Sequence, residues 1–123
     1  MPPQSSVTIL GGGNTAFSTA AVLTLRGFEV TLFEIEGFEA SLDSVRESGI
    51  IHLLGECGHG PTRIRCLTTD IEKALAASDL VLLIVPAYAH KPFAEVCAPY
   101  LHSRHTVVLM PGTLGTLEWW QIL

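Results

Sequence analysis

The chain has 123 residues, enough for one domain with a real core. It is 48% hydrophobic and 15% charged, with a mean hydropathy of +0.41, which is apolar for its size and points to strands buried on both faces and to association through exposed apolar surface. A net charge of −5, with seven scattered Lys and Arg residues, argues against a nucleic-acid partner.

No stretch reaches the roughly 20 apolar residues of a membrane span, since the longest run, residues 80–89, is broken by Pro86. Residues 1–6 (M-P-P-Q-S-S) carry neither the basic region nor the apolar core of a signal peptide and read as a flexible lead-in. Cys57, Cys66 and Cys97 match no zinc or redox spacing, so the expectation is a reduced, cytoplasmic protein without a membrane partner.

Residues 7–10 (V-T-I-L) form the first predicted strand, followed at once by Gly11, Gly12 and Gly13. A helix is expected from Asn14 or Thr15 to Arg26, apolar nearly all round and stopped by Gly27. The spacing Gly11, Gly13, Ala16 fits G-x-G-x-x-G/A, the strand–turn–helix that receives a dinucleotide pyrophosphate. Gly11 permits a sharp turn off the strand, and Gly13, without a Cβ, lets backbone approach the diphosphate. Ala16 keeps the helix close to the sheet. Taken alone the pattern has little specificity, because glycine turns before helices are common.

A second strand is expected over residues 29–33, with Glu34 directly after it. Glu34 lies about 20 residues past the glycines, where an acid binds the ribose hydroxyls of NAD and repels the 2′-phosphate of NADP. The alternative is a solvated carboxylate at a strand end. Residues 37–48 read as a polar helix, and residues 50–67 as a hairpin around a Gly-rich turn. Thr69 or Asp70 caps a short helix over residues 71–77. The most apolar strand, residues 80–85, is ended by Pro86. A helix over residues 91–101 carries Pro92 in its first turn. A strand over residues 106–110 and the start of a helix over residues 117–123 complete the order.

This alternation implies an α/β domain over residues 7–123: a Rossmann-type, doubly wound parallel sheet in the order 3-2-1-4-5 with a short hairpin near residues 50–67. Ligands of such sheets sit at the carboxyl ends of the strands. Pro86 and Ala87 then wall the cofactor, and His90 reaches the cofactor or substrate region or else is a capping or surface histidine. Met110, Pro111, Gly112 and Thr113, at the end of the fifth strand, pass near the nicotinamide and its ribose, or form a plain Pro-Gly turn. His52, Cys57, His59 and Cys66 fit no standard metal spacing, and no metal site is assigned.

The segments G-G-G-N-T-A (residues 11–16), T-T-D-I-E-K-A-L (68–75), S-D-L-V-L-L-I-V-P-A-Y-A-H (78–90), A-P-Y-L (98–101) and M-P-G-T-L-G (110–115) resemble the octopine/nopaline (opine) dehydrogenases. Asn14, inside the glycine motif, tilts the resemblance towards this family. Glycerol-3-phosphate dehydrogenases and ketopantoate reductases are less close in motif. The resemblance implies the amino-terminal NAD(P)-binding domain of an enzyme that joins an amino acid and a 2-oxo acid and reduces the imine with NAD(P)H. It also implies that the catalytic residues lie in a second domain after residue 123, so that none is assigned here and the chain alone would not turn over. A nucleotide-sensing module without chemistry is the alternative from another class; the loops around Pro86 and Pro111 disfavour it.

Overall fold

The computed structural model describes residues 5–36, 40, 43–46, 48–55, 58–110 and 115–122. In chain order the elements are β1 (Ser6–Leu10), α1 (Asn14–Leu25), β2 (Glu29–Phe33), α2 (Asp43–Arg46), β3 (Ile50–Leu53), β4 (Gly60–Arg63), β5 (Cys66–Thr68), α3 (Ile71–Ala76), β6 (Leu80–Leu83), α4 (His90–Cys97), β7 (Thr106–Leu109) and α5 (Gly115–Ile122). Short 3-10 turns, Ala87–Ala89 and Ala98–Tyr100, flank α4.

Five strands form one parallel sheet in the order β5-β2-β1-β6-β7. Counting only these strands, the order is the expected 3-2-1-4-5. β3 and β4 pair antiparallel as the expected hairpin. The hairpin is shorter than expected, however. Cys66–Thr68 leaves it and becomes the edge strand beside β2, pairing Thr31 with Cys66 and Phe33 with Thr68. The Arg65 N–H bonds the Val30 carbonyl at 3.0 Å and steers the chain onto that edge.

Both faces of β1 are buried, which explains its unbroken apolar run. On one face Leu10, Phe33, Val81 and Leu83 pack with Leu75, Phe93, Cys97 and Trp119; the Phe33 and Phe93 rings meet edge to face at 6.1 Å. On the other, Val7, Ile9, Val30 and Leu32 pack with Ala16 and Ala20 of α1. Thr8, which shares the face of Leu10, is buried and donates its hydroxyl to the Ala74 carbonyl at 2.7 Å. Beyond the reach of α1, Leu80, Val108 and Met110 stay partly exposed on the β6–β7 side of the sheet.

Element ends follow from local chemistry. Gly27, at φ +98°, closes α1: its N–H bonds the Thr24 carbonyl and that of Phe28 bonds Leu23, both at 3.0 Å. Asp70, rather than Thr69, caps α3 by accepting from the N–H groups of Glu72 and Lys73. β6 stops at Leu83, two residues short of expectation. The Ile84 N–H still bonds Leu10, but β1 turns away at Gly11 and leaves Val85 no partner in the ladder. α4 begins at His90 and stops at Cys97, earlier than Leu101, because Pro99 has no N–H to continue it. β1 takes in Ser6 from the expected lead-in; residues 1–4 lie outside the described residues. Of the helix expected over residues 37–48, residues 43–46 are helical, while 37–39, 41–42 and 47 lie outside the described residues.

Candidate functional site

The carboxyl edge of the parallel sheet is where β1 gives way to the glycines. The Gly11 N–H extends the ladder by one bond to the Phe33 carbonyl, at 2.8 Å. Gly11 then takes φ +131°, a conformation open to glycine and strained for other residues. A Cβ on Gly11 would also strike the carbonyl oxygen of Ile84. Two residues later the constraint reverses. Gly13 has an ordinary φ of −88°, and a Cβ there would meet nothing within 4 Å. Ala16 is fully buried against the sheet, as its place in the motif requires.

Two clefts open at this edge. The larger, about 410 Å³, is lined by Gly12, Gly13, Glu34, Ile35, Tyr88 and Phe93, among others. The smaller, about 280 Å³, is lined by Gly13, Asn14, Thr15, Ala16 and Met110. Gly13, Ile84, Val85 and Pro86 belong to both, so the clefts adjoin over the amino end of α1. That end has no side-chain cap and no acidic residue in its first turn. Its backbone N–H groups and dipole therefore favour an anion. Among the described residues neither cleft is lined by Lys or Arg, and Glu34 is the one charged residue on their walls. The arrangement suits an elongated ligand with apolar ends and an anionic middle.

Glu34 is half-buried at the carboxyl end of β2. Its Oε1 accepts the Ile35 N–H at 2.9 Å, and its own N–H bonds the Thr68 carbonyl at 3.2 Å. These bonds hold the residue on the wall of the larger cleft. Pro86 lines both clefts, and Ala87 begins the 3-10 turn closed by the Ala89 N–H on the Pro86 carbonyl at 2.9 Å.

His90 is placed differently from the expectation that it reaches the ligand. It starts α4, is wholly buried and lines neither cleft, and neither ring nitrogen has a hydrogen-bond partner. It directly follows the 3-10 turn in sequence, with its side chain in the interior. Pro111, Gly112 and Thr113 lie outside the described residues; Met110, just before them, sits on the lip of the smaller cleft. Among the described residues no three His, Cys, Asp or Glu side chains converge as metal ligands, and Cys57 lies outside them. No helix among them is long and apolar enough to cross a membrane. Cys97 is no nucleophile, since burial pushes its thiol up to about 12.

Sequence reasoning missed Ile35, Tyr88, Pro92 and Phe93 as cleft walls. Pro92 and Phe93 read as ordinary parts of a helix, and nothing local marks the side of the first turn that faces a cleft. Tyr88, an aromatic residue in the loop after Pro86, was the available sequence signal, and the fold leaves it 85% exposed.

No family model matches the chain. It is 32% identical over 124 residues to an opine dehydrogenase of Arthrobacter sp. (strain 1C), a match that covers 100% of this chain and 34% of the relative. The octopine dehydrogenase of Pecten maximus is also 32% identical, over 116 residues, 89% of this chain and 29% of its own. A solved structure of octopine dehydrogenase in complex with NADH and agmatine superposes on 98% of the chain with a TM-score of 0.81, at 24% identity, and the chain covers 32% of it. A glycerol-3-phosphate dehydrogenase of Saccharophagus degradans is more distant, at 25% identity over 94% of the chain. The chain spans about a third of the length of the curated relatives it matches.

Proposed function

We propose that this chain, similar to opine dehydrogenases over its whole length, is the dinucleotide-binding domain of an opine-type dehydrogenase. Such an enzyme condenses an amino acid with a 2-oxo acid and reduces the resulting imine. The observation that carries the reading is the meeting of the two clefts at Gly13, on the uncapped amino end of α1. A pyrophosphate there is held by the first-turn N–H groups and the helix dipole, without a lysine or arginine. Gly11, Gly12, Gly13, Asn14, Thr15 and Ala16 form the cradle.

The adenosine half belongs in the larger cleft. Glu34 takes its ribose hydroxyls, and the apolar walls at Ile35 and Phe93 suit a flat ring. The carboxylate favours NAD over NADP, whose 2′-phosphate it repels. The nicotinamide half belongs in the smaller cleft, beside Thr15 and Met110, with Pro111 and Gly112 following. When bound, the nicotinamide supplies the hydride that reduces the imine. This chain's residues bind and orient: Val85 and Pro86 exclude water from the shared wall, and the Ala87 turn keeps that wall in place. His90, buried at the start of α4, is assigned no contact with the cofactor.

We place the acid–base groups and the choice of amino acid and 2-oxo acid in the remaining two-thirds of a full-length enzyme, and assign no catalytic residue and no metal to this chain. Its setting is the reducing cytoplasm, where Cys66 and Cys97 stay thiols. A glycerol-3-phosphate dehydrogenase-type reductase uses the same kind of cleft; the higher identity to opine dehydrogenases favours the first reading. Calorimetric titration with NADH and NADPH tests it. NADH is expected to bind more tightly than NADPH, and a folded chain that takes up neither would falsify the proposal.

A further inference from the structure

The chain has seven Lys and Arg residues against twelve Asp and Glu, and among the described residues no Lys or Arg lines the clefts of the carboxyl edge. Two of them meet at the other edge of the sheet. There a depression of about 490 Å³ is lined by Thr24, Phe28, Glu29, Arg63 and Arg65, among others. Sequence reading gave scattered cations; the β4-to-β5 passage brings this pair to one rim.

Both arginines stand on fixed backbone. Arg63 pairs with Ile50 in the hairpin, and the Arg65 N–H bonds the Val30 carbonyl. Their side chains are exposed and lightly used. The Arg63 Nη1 donates to the Ser48 carbonyl at 3.3 Å, and the Arg65 Nη1 to the Glu29 Oε1 at 3.1 Å. A guanidinium offers five N–H donors, so most of each fork remains available. Glu29 offsets one of the two charges and leaves, among the described residues lining the depression, a surplus of one positive charge. A single carboxylate matches that surplus, and a dianionic phosphate is disfavoured by the nearby Glu29. The depression is larger than a carboxylate needs, and the half-buried Phe28, held by the closing turn of α1, gives it an apolar wall.

We propose that this depression is a second ligand site, taking a small organic monocarboxylate with its carboxylate on Arg63 and Arg65 and its apolar tail against Phe28. It is separate from the dinucleotide site, on the opposite edge of the sheet, and does not depend on that reading.

The test is an amide chemical-shift titration of the 15N-labelled protein with sodium hexanoate, run beside acetate, inorganic phosphate and hexylammonium. Hexanoate should saturate, with shifts centred on Thr24, Gly27, Phe28, Glu29 and residues 63–65. Acetate should bind about tenfold more weakly, for want of the tail. Arg63→Gln and Arg65→Gln should each weaken hexanoate about tenfold, the scale of one lost charge-assisted hydrogen bond. Arg63→Lys, which keeps the charge and loses the fork, should fall between, and Arg104→Gln should change nothing. The unperturbed part of each spectrum reports that the variant is folded. The proposal is overturned if hexanoate gives no saturable shifts, if phosphate or hexylammonium titrates these amides as well as hexanoate does, or if the folded Arg63 and Arg65 variants bind it unchanged.

Discussion

Gly11→Ala and Gly13→Ala should separate the glycine that makes the turn from the glycine that leaves room for a ligand. At Gly11 the new methyl is held at φ +131° and driven into the Ile84 carbonyl, with Val85 Cγ1 at 3.1 Å. That carbonyl cannot retreat easily, because the Ile84 N–H is tied to Leu10 at 3.0 Å and so to the centre of the sheet. Backbone strain of about 1–3 kcal/mol adds to an overpacking cost of about 1–3 kcal/mol. The sum, about 2–6 kcal/mol, is a large part of a typical domain stability of roughly 5–15 kcal/mol. With an m-value of about 1–3 kcal/mol per molar urea, the unfolding midpoint should fall by about 2 M. At Gly13, φ is −88° and no atom stands within 4 Å, so alanine should cost about 1 kcal/mol or less, as a poorer helix cap. Its methyl would instead project where the two clefts meet, and the Kd for NADH should rise about tenfold or more. Urea unfolding followed by fluorescence, with an NADH titration of each variant, gives both quantities. Equal midpoint losses would refute the packing argument, and a Gly13→Ala variant that binds NADH like the parent would refute the placement of the pyrophosphate.

Glu34→Gln removes the charge and keeps the shape. It should raise the Kd for NADH about threefold to tenfold and lower that for NADPH, on the scale of one hydrogen bond to a charged group; an unchanged ratio of the two constants would contradict the role given to Glu34. Asp70→Ala deletes the acceptor for the Glu72 and Lys73 N–H groups, and the urea midpoint should report a loss of about 1 kcal/mol. Cys97 gives a pH signature. Its folded pKa is raised to about 12 from an unfolded value near 9.0, so its contribution is whole below pH 9 and is lost as pH rises towards 12. The stability of the parent should therefore fall more steeply between pH 8 and pH 10.5 than that of Cys97→Ala, and parallel curves would rule this out.

The strands and α1 were legible because burial on both faces demands runs such as V-T-I-L and because Gly27 suits one helix ending. The split at residues 63–66 was not. Thr62, Arg63, Ile64 and Arg65 alternate buried and exposed without a break, so period-two patterning continues across the point where the chain changes sheets. What decides it is the free edge of β2, a partner distant in sequence. The glycine turn after β1 was legible because glycine geometry is local. His90 was misplaced because its neighbours in sequence, Pro86 and Ala89, do face a cleft, while the start of α4 turns its own side chain into the core. The basic rim at Arg63 and Arg65 was hidden for a similar reason: only the fold brings Glu29 and Phe28 beside them.

The central position of β1 has a kinetic consequence. Its two neighbours come from very different stages of the chain: β2 follows after one helix, whereas Thr8 meets Val81 about 70 residues later. Closing that loop is the slow, nonlocal step in assembling a parallel sheet. The clefts draw one wall from residues 11–16 and the other from residues 84–86, so neither exists until β6 docks. A nascent or refolding chain holding only β1, α1 and β2 has a finished glycine turn and no binding site, and the onset of NADH binding therefore times the arrival of β6.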